Sequence, residues 1–427
     1  MRPSRLLAIS SLAALAAASA LAAGSDLPAA KPDSVGMSTE RLAALAPGMK
    51  ALVDQGRLAG VVTMVARHGK VVEFDAAGKR DIAANAPMQK DSIFRIYSMS
   101  KPITGVAMMM LFEQGKWQLN DPVAKYIPEF ANLKVYATDA SNNMVLKDPA
   151  HPVTMRELMS HTGGFTYGFF SNTPVDKLQR EADVLNVNNT LDEFIKRMAK
   201  LPLNAQPGTE WHYSVSVDIQ GYIVQKLSGM PFEEFLEKRI FKPLGMMDTG
   251  FYVPKEKLNR LAEFYIYDKD NKLQPEKSGF NHDYGVKPAM SSGGGGLVST
   301  ATDYMRFCQM LLNGGQLDGV RLLSPLTVEL MRTNVLTPNM SVFGTGGAGF
   351  GLDFAVYTDP AAAGGYYGKG SFWWGGAAGT WFWIDPVQDL IFVGMIQQAA
   401  GTGATQVGSV PDVRGLSHAL TYQAIIK

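Results

Sequence analysis

The sequence predicts a mixed α/β fold of the α+β type, in which two β-rich ends of the chain join into one sheet and the middle is mainly helical. Three observations predict it: a β-hairpin pattern near the N-terminus, a second near the C-terminus, and capped helical patterns between about 120 and 285. We therefore expect a sheet domain at 23–120 and 285–427 and a mainly helical domain at 121–284.

The N-terminal part of the chain is expected to hold a helix and then a hairpin. The helix runs from Thr39 to about Gln55 and is opened by a hydroxyl cap at Ser38 or Thr39. Two β-rich runs, 60–67 and 70–75, flank a His-Gly turn at 68–69, which is typical of a tight hairpin.

The middle of the chain carries helix signals, and the C-terminal part returns to strands. Capping boxes at Thr154–Glu157 and Thr190–Glu193 mark two helix starts. The other predicted elements are helices at 219–227 and 232–238, a strand at 349–357, a hairpin of 380–384 with 390–396 around the turn 385–389, and a last helix from about Pro411 to Ile426.

Residues 1–22 have a pattern typical of a secretory signal peptide. Arg2 and Arg5 precede an apolar run from Leu6 to about Ala20, and small residues follow that suit cleavage after Ala20 or Ala22. A membrane anchor is the alternative, but the run is short and rich in alanine. We expect a periplasmic or secreted protein with no membrane span in the mature chain.

Charge and cysteine content exclude several classes of protein. Lys plus Arg number 40 and Asp plus Glu 39, without a basic run, so nucleic acid is a poor candidate partner. Cys308 is the single cysteine, which rules out an intramolecular disulfide and fits a core thiol on an amphipathic helix. The six histidines show no close metal-ligand pairs, and we expect no metal and no cofactor.

The first candidate for chemistry is Ser98-Met-Ser-Lys101. In a helix that starts near Ser98, the spacing places Ser98 and Lys101 on one face. A serine needs a neighbouring base to become a nucleophile, and a buried lysine with a lowered pKa can be that base. Alone the motif is weak, because chance predicts about one such match in a chain this long. A helix cap beside a solvated lysine remains the alternative.

Two further segments could complete such a site. Tyr213, in Trp211-His-Tyr-Ser-Val215, could carry a proton between Ser98 and the leaving group, although it could equally be a packed core tyrosine. In the segment 370–380, glycines around Trp374-Gly375-Gly376-Ala377 allow close backbone approach to a ligand. The N–H groups of Ala377 and Ser98 could then form an oxyanion hole, and a Gly-rich bulge is the alternative.

Together these segments resemble the serine β-lactamase and penicillin-binding-protein superfamily, in order and approximate spacing. The likeness is to the class C β-lactamase branch, and above all to family VIII carboxylesterases. Further matching stretches extend it over essentially all of the chain from about 35 onward: 94–105, 158–164, 240–250, 293–303 and 375–381. The resemblance implies an antiparallel sheet flanked by helices plus an all-helical domain, with the active site between them. It also implies Ser98 as the acylated nucleophile, Lys101 as its activating partner and Tyr213 as general base and acid.

Two departures from the class C pattern bear on the substrate. Val215 stands where those enzymes carry the asparagine of Tyr-x-Asn, and Trp374-Gly375-Gly376 stands in place of Lys-Thr-Gly. By the resemblance, that lysine helps hold a substrate carboxylate, and a neutral indole cannot supply the charge. An uncharged ester with a short acyl group therefore fits better than a β-lactam.

The predicted function is hydrolysis of a small-molecule ester, or of an amide, and two alternatives remain. One is a β-lactamase or D-amino-acid peptidase, and the other is a penicillin-binding module that is acylated without turnover. The sequence leaves the oligomeric state open. Aromatic residues near the third segment could form a cleft wall or belong to the core: Tyr366, Tyr367, Phe372, Trp373 and Trp381.

Overall fold

The computed structural model describes residues 26–270, 272–277, 282–399 and 411–427. The predicted signal peptide lies outside the described residues, so export stays a prediction. Within the described ranges, the helices are all too short or too polar to cross a bilayer.

The strands of the described residues are named here in chain order. They are β1 (Gly60–Arg67), β2 (Lys70–Asp81), β3 (Ala86–Pro87), β4 (Phe94–Arg95), β5 (Val135–Thr138), β6 (Met144–Lys147), β7 (Tyr265–Tyr267), β8 (Leu273–Pro275), β9 (Val298–Ser299), β10 (Gln316–Leu317), β11 (Val320–Arg321), β12 (Ala348–Phe350), β13 (Ala355–Tyr357), β14 (Phe372–Gly375), β15 (Trp381–Asp385), β16 (Leu390–Met395) and β17 (Gln398–Ala399).

The α-helices follow the same convention. They are α1 (Thr39–Leu42), α2 (Leu45–Asp54), α3 (Ser100–Glu113), α4 (Met155–Met159), α5 (Pro174–Glu181), α6 (Leu191–Met198), α7 (Ser216–Ser228), α8 (Phe232–Leu236), α9 (Lys242–Leu244), α10 (Ala301–Leu312), α11 (Pro325–Met331) and α12 (Val413–Tyr422).

The main sheet joins both ends of the chain. Its order is β12-β13-β14-β15-β16-β1-β2-β3, and each neighbouring pair is antiparallel. The junction is the pairing of β1 with β16, where Met64 lies opposite Val393. The predicted fold class, with two β-rich ends sharing one antiparallel sheet, is confirmed.

The turn between β1 and β2 has the backbone that its sequence predicts. His68 and Gly69 have φ values of 51° and 71°. Both central residues lie in the left-handed region, as a two-residue type I′ hairpin turn requires. Glycine adopts that conformation at little cost, so the His-Gly pair fixes the register of the hairpin.

Helices cover both faces of the sheet. Val61 and Val65 of β1 pack in a cluster with α2 and α12, while Val62 and Met64 pack in the cluster that includes α3 and α10. Successive strand residues point to opposite faces, so both faces are buried. This explains why the central strands β1, β15 and β16 are buried along their whole length and do not alternate between apolar and polar residues.

The helix that carries Lys101 lies in the middle of the fold. α3 packs against α7, and its residues from Ser100 to Leu111 are buried on every side. The capping boxes at Thr154 and Thr190 open α4 and α6, and these two predictions are confirmed. The predicted helices near 219–227 and 232–238 correspond to α7 and α8, and Cys308 is buried in α10.

Three predicted elements differ from the structure, two of them helices. The helix expected at 39–55 is split into α1, capped by Ser38, and α2. Pro47 causes the break, because in a continuous helix its ring would clash with the carbonyl of Ala43, whereas the first turn of a new helix tolerates it. The last helix is confirmed but shorter than predicted, since α12 spans Val413–Tyr422.

The single strand expected at 349–357 is wrong. The structure forms a hairpin there, in which β12 and β13 pair around the turn 351–354 and Asp353 has a φ of 65°. A side-chain carbon added to Gly351 would lie 1.9 Å from the Met331 carbonyl oxygen, so the chain bends where it meets another segment. The limits of the sheet and helical domains stay a prediction.

Candidate active site

Ser98 and Lys101 lie at the start of α3. Ser98 is in a 3-10 turn, Tyr97–Met99, and Lys101 is the second residue of the α-helix that follows. Lys101 is fully buried and its Nζ donates to Ser98 Oγ at 3.1 Å. The predicted i, i+3 relation therefore places the lysine amine within hydrogen-bond reach of the serine oxygen.

The backbone is strained directly before Ser98. Tyr97 has a φ of 41°, a left-handed conformation that a bulky residue adopts only where its surroundings impose it. The Ile96 N–H donates to the Leu297 carbonyl at 3.0 Å and holds this turn from one side. Gly376 packs against the other side of the turn, since a side-chain carbon added to it would lie 2.4 Å from the Ile96 carbonyl oxygen.

Lys101 has two further hydrogen-bond acceptors. Its Nζ donates to Tyr167 Oη at 2.9 Å and to the Gly294 carbonyl at 2.6 Å. Burial lowers the pKa of Lys101 to about 7, although the carboxyl groups of Asp218 and Asp353 act to raise it. A substantial neutral fraction of Lys101 is therefore present near neutral pH, as a base at Ser98 requires.

Tyr213 lies next to both residues. Its hydroxyl is close enough to the Ser98 side chain for that group to act on its pKa, and Lys101 Nζ lies 4.5 Å from the centre of its ring. Burial raises the pKa of Tyr213, while the nearby Ser98 side chain and the bond from Trp374 act to lower it. The phenol is thus protonated near neutral pH and can relay a proton rather than start as a phenolate.

Trp374 reaches the same site from β14. Its indole Nε1 donates to Tyr213 Oη at 3.3 Å, and its side chain is buried. Val215, at the start of α7, is also fully buried and is apolar where class C enzymes carry an asparagine. Of the two departures from the class C pattern, Trp374 therefore contacts Tyr213 directly and Val215 follows it by two residues.

Residues of the glycine-rich segment 370–380 lie in two different surroundings. Ala377 is exposed and lines the same cavity as Ser98, whereas Gly375 faces Arg414 of α12, whose Nη2 would lie 2.0 Å from an added side-chain carbon. The Ser98 N–H lies in the first turn of a helical segment, where N–H groups lack intrahelical partners. The structure thus brings Ser98 and Ala377 together but not Gly375, and the oxyanion hole stays a prediction.

The cavity above Ser98 has a volume of about 480 Å³ and a mostly apolar wall that includes five tyrosine and phenylalanine side chains. Asp183 is the charged side chain among its described lining residues. The residues that form the wall are Tyr97, Ser98, Tyr167, Phe169, Phe170, Asp183, Leu185, Asn186, Val187, His282, Tyr284, Ser292, Gly294, Gly295, Gly296 and Ala377.

Several neighbours of the site were not among the predicted site residues. Tyr167 follows the matching stretch 158–164 by three residues, and Asp218 lies five residues after Tyr213. The sequence signal for Tyr167 and Asp218 was their closeness to predicted motifs. Their interactions with Lys101 arise only in the folded chain. Asp353, on the turn of the β12–β13 hairpin, had no local signal.

The aromatic residues near the third segment are not among the described residues that line this cavity. Phe372 and Trp381 are buried in the core, while Tyr366 is exposed. His161 is buried beside Tyr213, with ring centres 5.0 Å apart, and burial lowers its pKa well below the usual value. It is a neutral packing group, whereas His212 Nε2 contacts a carboxylate oxygen of Glu210 at 2.7 Å.

Comparison with known proteins agrees with this geometry. The family described as Beta-lactamase matches residues 45–408. Protein Rv1367c of Mycobacterium tuberculosis is 37% identical over 385 residues, which cover 88% of this chain and 94% of that protein. Esterase EstB of Burkholderia gladioli is 31% identical over 377 residues, or 83% and 91% of the two chains. The solved structure of EstCE1, described as a hydrolase with promiscuous acyltransferase activity, matches with a TM-score of 0.74 at 27% identity and covers 90% of this chain and 99% of its own.

Proposed function

Because this chain belongs to the beta-lactamase family and is a serine hydrolase, we propose that it cleaves carboxylic esters with short acyl chains through an acyl-enzyme on Ser98. The observation that carries the proposal is the contact of Lys101 Nζ with Ser98 Oγ at 3.1 Å, where Ser98 lines a mostly apolar cavity. A nucleophile and a buried base within hydrogen-bond reach are what acyl transfer to serine requires.

In the proposed reaction, Ser98 Oγ attacks the ester carbonyl as its proton passes to Lys101, directly or through the Tyr213 hydroxyl. The N–H groups of Ser98 and Ala377 would stabilise the oxyanion of the tetrahedral intermediate. The C–O bond to the leaving alcohol then breaks, and the proton held by Lys101 passes through the Tyr213 hydroxyl to the alkoxide, so both groups return to their starting protonation states. Water attacks the acyl-enzyme in the same way, which releases the carboxylic acid and restores Ser98.

The surroundings of the base favour an uncharged substrate. By the resemblance, Trp374 stands in place of the class C lysine, and its indole donates to Tyr213, so this part of the site offers an apolar wall and a neutral donor. Asp183, on the cavity wall, would repel a substrate carboxylate. Both features support an ester over a β-lactam or a peptide with a free C-terminus.

The test compares the mature wild-type protein with Ser98→Ala and Ser100→Ala on short-chain p-nitrophenyl esters, with a chromogenic cephalosporin in parallel. Ser100 is a matched control, because it is two residues away and its Oγ accepts from the Leu297 N–H at 3.1 Å. We expect ester turnover that Ser98→Ala abolishes and Ser100→Ala retains.

Other outcomes would overturn the proposal in distinct ways. Strong cephalosporin turnover would indicate a β-lactamase. Stable labelling by a penicillin without ester turnover would indicate a binding module. Ester hydrolysis that persists in Ser98→Ala would exclude the proposed nucleophile.

A further inference from the structure

Asp218 has a connection to Lys101 that the reaction described above does not use. It lies in the first turn of α7 and is fully buried. Its Oδ1 accepts from the Gly294 N–H at 3.1 Å and from Ser292 Oγ at 2.5 Å. The carbonyl of the same Gly294 accepts from Lys101 Nζ at 2.6 Å. Gly294 therefore donates its N–H to the Asp218 carboxylate and accepts at its C=O from Lys101.

The contact leaves no room for a side chain at this position. A carbon added to Gly294 would lie 2.5 Å from Asp218 Oδ2 and 2.8 Å from Tyr167 Oη. One added to Gly293 would lie 2.6 Å from the Val217 carbonyl oxygen. The segment 293–294 is thus pressed against the start of α7, and the position of the Gly294 carbonyl depends on that of Asp218.

We propose that Asp218 is a positioning residue, which fixes the Gly294 carbonyl and through it directs Lys101 Nζ towards Ser98. The inference rests on the proposed function, since it needs Lys101 to act as the base at Ser98. A carboxylate at the N–H of residue 294 also polarises its carbonyl, which strengthens that carbonyl as an acceptor for an ammonium group.

The groups that face Lys101 from the packed elements are Asp218 of α7, Asp353 of the β12–β13 turn, His161, Tyr167 and Tyr213. Both carboxyl groups raise the pKa of Lys101, but their hydrogen-bond partners differ. Asp353 Oδ1 accepts from Gln220 Nε2 at 3.0 Å, not from the segment that touches the lysine. Asp353→Asn therefore removes a carboxyl group near Lys101 but leaves the contact between Asp218 and Gly294 in place. It is the control for the effect of charge alone.

The experiment measures the rate at which Ser98 reacts with a fluorophosphonate probe, as a function of pH, together with kcat and KM for an ester. In Asp218→Asn the amide oxygen can still accept from Gly294, but the charge is gone. The rise of the rate with pH should move to lower pH, with a small loss at the plateau. Asp218→Ala also loses the anchor, and its plateau rate should fall by about 10²-fold, the effect of misplacing a reacting group by about 1 Å.

A second pair of variants covers the case in which Asp218→Ala does not fold. Ser292→Ala removes a hydroxyl that donates to Asp218, while Ser291→Ala removes a neighbouring hydroxyl that donates to Glu233 at 3.1 Å. We expect a lower plateau rate in Ser292→Ala and a wild-type rate in Ser291→Ala.

The results separate failure of this inference from failure of the proposed function. If wild-type protein neither hydrolyses esters nor reacts with the probe at Ser98, the proposed function itself fails. If the wild type reacts, and Asp218→Asn has the wild-type pH profile while Ser292→Ala matches Ser291→Ala, Asp218 does not position Lys101. A plateau in folded Asp218→Ala as high as that of Asp353→Asn would overturn the inference equally.

Discussion

The Trp374 indole nitrogen donates a hydrogen bond to the Tyr213 hydroxyl at 3.3 Å, so a strand of the main sheet contacts the proposed general base directly. The bond acts to lower the pKa of Tyr213, against the larger effect of burial. It stabilises negative charge on the phenol oxygen, which develops when Tyr213 gives up its proton. Trp374 is therefore connected to the chemistry as well as to the shape of the cleft.

Trp374→Phe tests that connection, because it keeps an aromatic ring and removes the donor. We expect kcat for ester hydrolysis to fall about 10-fold, the effect of about 1.4 kcal/mol from one lost hydrogen bond. KM should change little. Trp373→Phe is the matched control, since the neighbouring indole lacks a hydrogen-bond partner among the described residues. Equal losses in both variants, measured by steady-state kinetics, would show that the effect is packing alone.

Tyr213→Phe should have a much larger effect than Tyr167→Phe. The Tyr213 hydroxyl is next to Ser98 itself, whereas Tyr167 accepts from Lys101 at 2.9 Å. Loss of a group that transfers a proton costs about 10²–10⁴-fold, so we expect a fall of that size in kcat for Tyr213→Phe and a smaller one for Tyr167→Phe. Thermal unfolding of both variants checks that the fold survives. The reverse order of activities would move the general base to Tyr167.

Ester hydrolysis should depend on pH through Lys101. Burial lowers its pKa to about 7, and only the neutral amine can accept the proton of Ser98. kcat/KM should therefore be low on the acid side, rise as the pH increases through about 7, and level off above it. The measurement is kcat/KM from pH 5 to 9, with thermal unfolding at each pH to exclude acid denaturation. A fall in kcat/KM on raising the pH through 7 would mean that the ammonium form is the active one.

The sequence predicted those parts of the site that depend on local spacing. Ser98 and Lys101 are three residues apart, and one helical turn suffices to bring them together. Hairpin and capping signals placed the strands and helices around them, because these signals act over a few residues. Tyr213 and the segment around Trp374 lie far from Ser98 along the chain, and it was the resemblance to a known family that connected these candidates with Ser98.

Tertiary contacts account for what the sequence did not predict. Asp353 approaches Lys101 only because β12 and β13 turn back on each other, where a single strand was expected. The Gly294 carbonyl is a backbone group, and no side-chain pattern marks it as a partner of Lys101. The cavity wall draws on 167–170, which lies outside the regular helices and strands and so has no periodicity to interpret.

The exposed phenylalanines at the cavity should set which esters bind well. Phe169 and Phe170 are 52% and 56% exposed, their ring centres lie 4.8 Å apart, and both line the cavity above Ser98. Large aromatic side chains left this exposed at a cavity are available to pack against an apolar ligand. We expect Phe170→Ala to raise KM for phenyl and naphthyl esters about 5- to 10-fold, the equivalent of roughly 1–1.4 kcal/mol of lost ring packing. KM for a methyl or ethyl ester, which is too small to fill that wall, should stay near its wild-type value.

The control is Phe343→Ala. Phe343 is 58% exposed and its ring centre lies 5.5 Å from that of Tyr213, but it does not line the described wall of this cavity. If the bulky group of the ester lies on the Phe169–Phe170 side, KM in Phe343→Ala should stay the same for both classes of ester. An increase in Phe343→Ala without one in Phe170→Ala would place the bulky group on the opposite side of Tyr213, beside Trp374, with which Phe343 stacks at 6.1 Å.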